Sequence, residues 1–116
     1  MIIIFKFFEV PKRFCLYLFL LLLLSIASLF ANNAPTISTV ADQSINEDNP
    51  TGAIAFTVGD NETPVGDLTV TGASNNTTLV PNANVVIGGS GANRTVTVTP
   101  AANQNGTATI TLTVSD

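Results

Sequence analysis

Thr107-Ala108-Thr109-Ile110-Thr111-Leu112-Thr113-Val114 is the stretch that decides the fold. Threonine alternates with an apolar residue throughout it. Side chains alternate between two faces along an extended chain, so Ala108, Ile110, Leu112 and Val114 share one face and the threonines the other. Threonine is β-branched and favours a strand even where it meets water. Thr95-Val96-Thr97-Val98-Thr99 repeats the device, as do Ile54-Ala55-Phe56-Thr57-Val58 and Leu68-Thr69-Val70. Between these runs stand clusters of Gly, Asn, Asp and Pro: Asp48 to Gly52, Gly59 to Asn61, Ser74 to Asn76, Gly88 to Gly91 and Asn103 to Gly106. Such residues accept positive φ or bond their own backbone, and so make turns.

This spacing predicts seven strands, near 36–40, 53–58, 67–71, 77–80, 84–88, 94–99 and 107–114. No helical periodicity follows Ala31. Short strands at this interval read as a seven-stranded antiparallel β-sandwich, an all-β fold of two sheets. The expected core is Ile37, Ile54, Phe56, Val58, Leu68, Val70, Leu79, Val86, Val96, Val98, Ile110, Leu112 and Val114. A domain this small buries about 60–65% of its unfolded surface, which makes its stability marginal.

The chain is 46% hydrophobic and 10% charged over its 116 residues, with a formal net charge of −4. Those averages join two unlike parts. Residues 1–31 hold seven of the eight aromatic residues, the single Cys15, and three of the four basic residues, Lys6, Lys12 and Arg13. They read as a signal peptide: a basic start, the unbroken apolar run Phe14 to Leu24, then small residues with cleavage after Ala27 or Ala31. A helical, uncleaved anchor is the alternative, since Phe14 to Ala31 falls just short of the about 20 residues a spanning helix needs. The membrane enters only through this segment, during export or if it stays uncleaved. The expected location is secreted or at the cell surface.

Residues 32–116 form the second part and the single domain. They contain no His, Cys, Trp, Tyr or Lys. Arg94 faces seven acids: Asp42, Glu47, Asp48, Asp60, Glu62, Asp67 and Asp116. Nucleic-acid binding needs a basic footprint and is not expected. Neither a thiol nor an imidazole is present for nucleophilic catalysis or a zinc site. No enzyme is expected. A sugar site would stack its ligand on Trp or Tyr, and Phe56 belongs to the alternating core. Asn75, Asn76, Asn93 and Asn105 head Asn-x-Thr triplets, frequent by chance in a chain rich in both residues. Arg94 is expected to pair with an acid across the sheet.

The turn and acid placements resemble the cadherin-like repeats of bacterial surface proteins, a branch of the immunoglobulin-like sandwiches. Asn46-Glu47-Asp48-Asn49-Pro50-Thr51-Gly52 is similar to that family's entry to the second strand. Val58-Gly59-Asp60-Asn61-Glu62 is similar to its acidic calcium segment, and Leu112 to Asp116 to its closing strand. Asn33-Ala34-Pro35 is similar to the end of an inter-repeat linker. The resemblance implies a structural or adhesive module whose partners are neighbouring repeat domains or surface proteins. It further implies calcium (Ca2+) as the candidate cofactor, with Glu47, Asp60, Glu62 and Asp116 as the metal ligands. The acid-bearing motif expected before the last strand is missing, since Thr99 to Asn103 carries no carboxylate. The same acids also serve as ordinary turn residues. A non-catalytic module that binds an extracellular ligand or glycan through loops 59–66 and 88–93 is the alternative function. An exposed Thr-rich strand edge without lysine is the third feature, because unguarded edges accept further strands.

The period-2 assignment has a direct check in urea unfolding. Leu112→Ala is expected to cost about 2–5 kcal/mol. Thr111→Ala, on the other face, is expected to cost far less, and equal effects would overturn the assignment.

Overall fold

The computed structural model describes residues 1–10 and 32–116. The apolar run from Phe14, Cys15 and both cleavage positions lie outside the described residues. Eight strands form two four-stranded sheets: β1 (Ile2–Val10), β2 (Thr36–Ile37), β3 (Gln43–Ser44), β4 (Ile54–Gly59), β5 (Thr69–Ser74), β6 (Val85–Ser90), β7 (Asn93–Val98) and β8 (Thr107–Ser115). One sheet has the order β3-β1-β8-β5 and the other β2-β4-β7-β6. The two-sheet all-β sandwich expected from the alternation is therefore present.

β8 is the best-formed element. Ala108, Ile110, Leu112 and Val114 are all fully buried, as the alternation requires. Thr109, Thr111 and Thr113 face outward but are half-buried, because β8 is an inner strand with β1 on one side and β5 on the other, while Thr107 at its start is exposed. Across the sandwich, Phe56 and Val58 of β4 and Val96 and Val98 of β7 complete the core. Gly72 in β5 permits a close approach between the sheets, since a Cβ there would lie 2.5 Å from the Val85 side chain.

Four details depart from the alternating pattern, each with a local cause. The first is β1. The residues expected to open a signal helix form a strand, Ile2–Val10, paired in parallel with β8 from Ile2 opposite Thr107 to Val10 opposite Ser115. The sandwich thus has eight strands and one parallel pair. Ile3 and Phe5 of β1 are 0% and 6% exposed and belong to the core. The second is 77–80, which is a turn. Asn76 caps it: its side-chain oxygen accepts the Leu79 N–H at 3.2 Å, and its carbonyl accepts the Val80 N–H at 2.8 Å. A side-chain acceptor placed two to three residues ahead of an N–H favours a helical turn over a strand. Leu79 and Val80 still reach the core from it.

The third is the phase of β6. A short 3₁₀ turn at Asn82–Asn84 delivers the chain so that Val85 points inward and Val86 outward, at 56% exposure. Three consecutive apolar residues, Val85-Val86-Ile87, cannot reveal their phase by alternation alone. The fourth is the first strand expected at 36–40, which is shortened to Thr36–Ile37 and followed by an unexpected short strand at Gln43–Ser44. β2 pairs with β4 in one sheet and β3 pairs with β1 in the other, while Val40 crosses between them and is buried. Gly88 and Gly89 lie inside β6, and the hairpin to β7 turns at Gly91-Ala92. Gly89 has φ +83° and passes directly over the Asn93 carbonyl, so a side chain is excluded there.

Candidate functional site

The four acids singled out as metal ligands divide between the two ends of the sandwich. Glu47 is exposed at the pole where β1 and β8 begin. Met1 and Ile45 exchange hydrogen bonds there, and the Asp48 carboxylate accepts the Asn103 N–H at 2.6 Å. Asp60, Glu62 and Asp116 lie at the pole where β8 ends. A nine-residue strand at about 3.3 Å per residue separates the poles by roughly 25–30 Å. The structure therefore brings three of the four acids to one end and leaves Glu47 at the other.

The Asp116 pole is built from the loop after β4, the end of β8 and the segment leading into β2. Asp60 starts the loop. Its Oδ1 accepts the backbone N–H groups of Glu62 at 2.6 Å and Thr63 at 2.9 Å, an Asx turn that fixes the direction of the chain. Those bonds, Thr63 first and Glu62 second, hold the Asp60 carboxyl below its ordinary range. Desolvation and the negative charge of Asp116 push the other way without prevailing. The second oxygen, Oδ2, is buried and has no hydrogen-bond partner.

Asp116 is 6% exposed, the buried polar residue among the described ones. Its Oδ2 accepts the side-chain amide of Asn32 at 2.9 Å and faces the Thr63 hydroxyl at 3.5 Å. The Asn33 amide donates to Glu62 Oε1 at 2.7 Å. Two neutral amides from one dipeptide thus engage two carboxylates that the sequence assigned to a metal. Glu9, at the end of β1, brings a further carboxylate to this pole, where its Oε1 accepts the Ile37 N–H at 3.1 Å. Among the described residues no group of three or more Asp, Glu, His or Cys converges with metal-holding geometry.

Asn33 belongs to the linker-like Asn33-Ala34-Pro35, and nothing in the residue type of Asn32 or Asn33 marks them as donors to the acids. Their proximity has a topological consequence. Asn32 and Asp116 touch, so residues 32–116 begin and finish at the same pole.

Arg94 does not meet an acid. Its Nε donates to the Gly91 carbonyl at 2.8 Å, and Nη2 donates to the carbonyls of Val65 and Leu68, both at 3.3 Å. One guanidinium thereby ties the β6–β7 hairpin to the loop that carries the chain from β4 in one sheet to β5 in the other. Planar, multi-donor geometry suits Arg to this task better than Lys. Asp67 is a turn residue, with its N–H on the Pro64 carbonyl at 2.8 Å.

The depressed Asp60 carboxyl makes stability pH-dependent with a definite sign. Its contribution is fully present above the ordinary carboxylate pKa, about 3.9, and is lost as pH falls through the lower folded value. In urea titrations, the stability of the natural chain is expected to fall more steeply below about pH 4 than that of Asp60→Asn. Parallel pH profiles would remove Asp60 from this role.

The all-β, two-sheet fold agrees with the comparison to known families. Residues 32–116 match the family model described as bacterial Ig domain. The chain matches no curated protein and no solved structure. β1 lies outside the matched residues, so the family's own segment supplies seven of the eight strands. Over residues 32–116, this chain belongs to the bacterial Ig domain family.

Proposed function

We propose that the chain is an exported, non-catalytic structural module that works at the bacterial surface or outside the cell. The match of residues 32–116 to the bacterial Ig domain carries this reading. Supporting it, the described polar groups are spent on architecture. Asp60, Asp116, Asn76 and Arg94 each hold a turn, a pole or a loop. Neighbouring repeats or surface proteins are the proposed partners. They would meet the module at the Asp116 pole, since Asn32 and Asp116 lie together there.

A ligand-binding role is the second reading, and one observation favours it. Arg94 clamps both loops that such a role would use, so the surface of 60–68 and 90–93 is ordered in advance. Ordering before contact lowers the entropic cost of binding.

Calcium belongs to the same pole. Calcium takes six to eight oxygens. Asp60, Glu62 and Asp116 bring three carboxylates, and the Asn32 and Asn33 amides already bond two of them. The buried, unpartnered Asp60 Oδ2 beside Asp116 is the atom that speaks for a cation. We take the binding to be weak, since these three carboxylates share a pole without converging on one point, and to exclude Glu47.

Two experiments test the proposal. With a C-terminal epitope on the full chain, protease added to intact cells is expected to remove the epitope; full protection would overturn export. Thermal unfolding of the full chain in EDTA and in millimolar calcium is expected to show a shift of at most a few degrees, abolished by Asp60→Asn. A rise of many degrees, unmatched by magnesium, would establish a tight site and make calcium central to the function.

A further inference from the structure

The sheet β3-β1-β8-β5 contains one strand that the bacterial Ig domain segment does not supply. Without β1, the main-chain edges of β3 and β8 would face each other across a gap one strand wide. The gap is built to hold a strand. On the β8 side it offers a nine-residue parallel ladder, from Thr107 to Ser115. On the other side Gln43 and Ser44 pair with Ile3 and Ile2. Beyond the short β3, the Asp42 carboxylate accepts the Phe5 N–H at 3.4 Å and stands in for the missing strand partner. At the bottom, Ile45 exchanges main-chain hydrogen bonds with Met1, and Gly106 accepts the Ile2 N–H at 3.0 Å.

The side chains are read as well as the backbone. Ile3 and Phe5 lie opposite Ala108 and Ile110 and enter the core, with Phe7 opposite Leu112 half-buried behind them. Ile2, Lys6 and Phe8 point outward and are exposed. The gap therefore selects an extended segment with large apolar residues at every second position and tolerates either polarity between them.

We propose that the cleft between β3 and β8 is a strand-binding site. The full chain fills it in cis with Ile2–Val10. Once the connection through residues 11–31 is cut, the cleft exchanges that strand for an extended segment of another polypeptide with the same alternate apolar pattern. Main-chain pairing supplies the grip and the inward pockets supply the selectivity, as in strand addition generally. The exported module would thus join to a partner by accepting a strand. This last step rests on the export proposed above, while the cleft itself does not.

The test uses the full chain with a specific protease sequence placed between Pro11 and Asn32, cut after folding. The probe is a labelled synthetic peptide of residues 1–10 with a solubilising lysine tail. Fluorescence anisotropy is expected to show uptake by the cut chain and none by the uncut chain, whose tethered β1 competes at high effective concentration. A probe carrying Ile3→Asp and Phe5→Asp is expected to bind at least about a hundredfold more weakly, since it would place two charges where apolar side chains were buried. Equal uptake by cut and uncut chains, equal binding of the two probes, or no uptake at all would overturn the proposal. Cut chains that assemble only with one another and resist excess probe would also overturn it.

A second measurement needs no cutting. Hydrogen exchange on the uncut chain carrying Ile3→Asp and Phe5→Asp is expected to speed up the amides of β8 and β3 while β6 and β7 keep their protection. Unchanged protection in β8 would show that β1 does not fill the cleft. Both measurements stand whether or not the chain is exported, so failure of export leaves them readable.

Discussion

The structure depends on the burial of one face of β8. Ala108, Ile110, Leu112 and Val114 are wholly excluded from water, and every other element is placed by reference to them. β1 and β5 flank the strand in its own sheet, and Phe56, Val58, Val96 and Val98 cover it from the opposite one. A one-residue slip would turn four apolar side chains to solvent and four threonines inward, so the register is strongly specified. Threonine is a suitable outward residue for such a strand. It keeps the β-branched preference for extension while leaving the outer face polar.

Where alternation was strict, the sequence was legible. β4, β7 and β8 are found where Ile54 to Val58, Thr95 to Thr99 and Thr107 to Val114 place them. Legibility failed where a different physical signal competed. Thr77 to Val80 contains apolar residues suited to a strand, yet Asn76 caps a turn and overrides them. Val85 and Val86 are chemically alike, so only the turn before them decides which is buried. β1 was hidden for another reason. Ile2 to Val10 is mostly apolar, and an apolar start with a basic residue reads equally as an export signal and as a core strand.

The polar residues show a similar ambiguity. Asp60, Glu62 and Asp116 lie at one pole, but their immediate partners are amides and backbone N–H groups. A carboxylate placed for a cation and one placed for an Asx turn look the same in a sequence. Glu47 was grouped with them through its resemblance to a known turn, and the length of β8 separates it from the rest. Arg94 was legible as the sole cation of residues 32–116 but not as a clamp, because backbone carbonyls leave no mark in the residue types around it.

The parallel ladder between β1 and β8 also sets the order in which the molecule can be finished. Ile2 waits for Thr107 and Val10 for Ser115. Each pair thus lies 105 positions apart along the chain. Contacts so distant along the chain close slowly, because the loop between them must be ordered before the pairing repays it. Until β8 is made, Ile3 and Phe5 have no core to enter, and the early chain remains extended and apolar. The late arrival of β8 therefore gives the chain a built-in delay between synthesis and closure of the sheet.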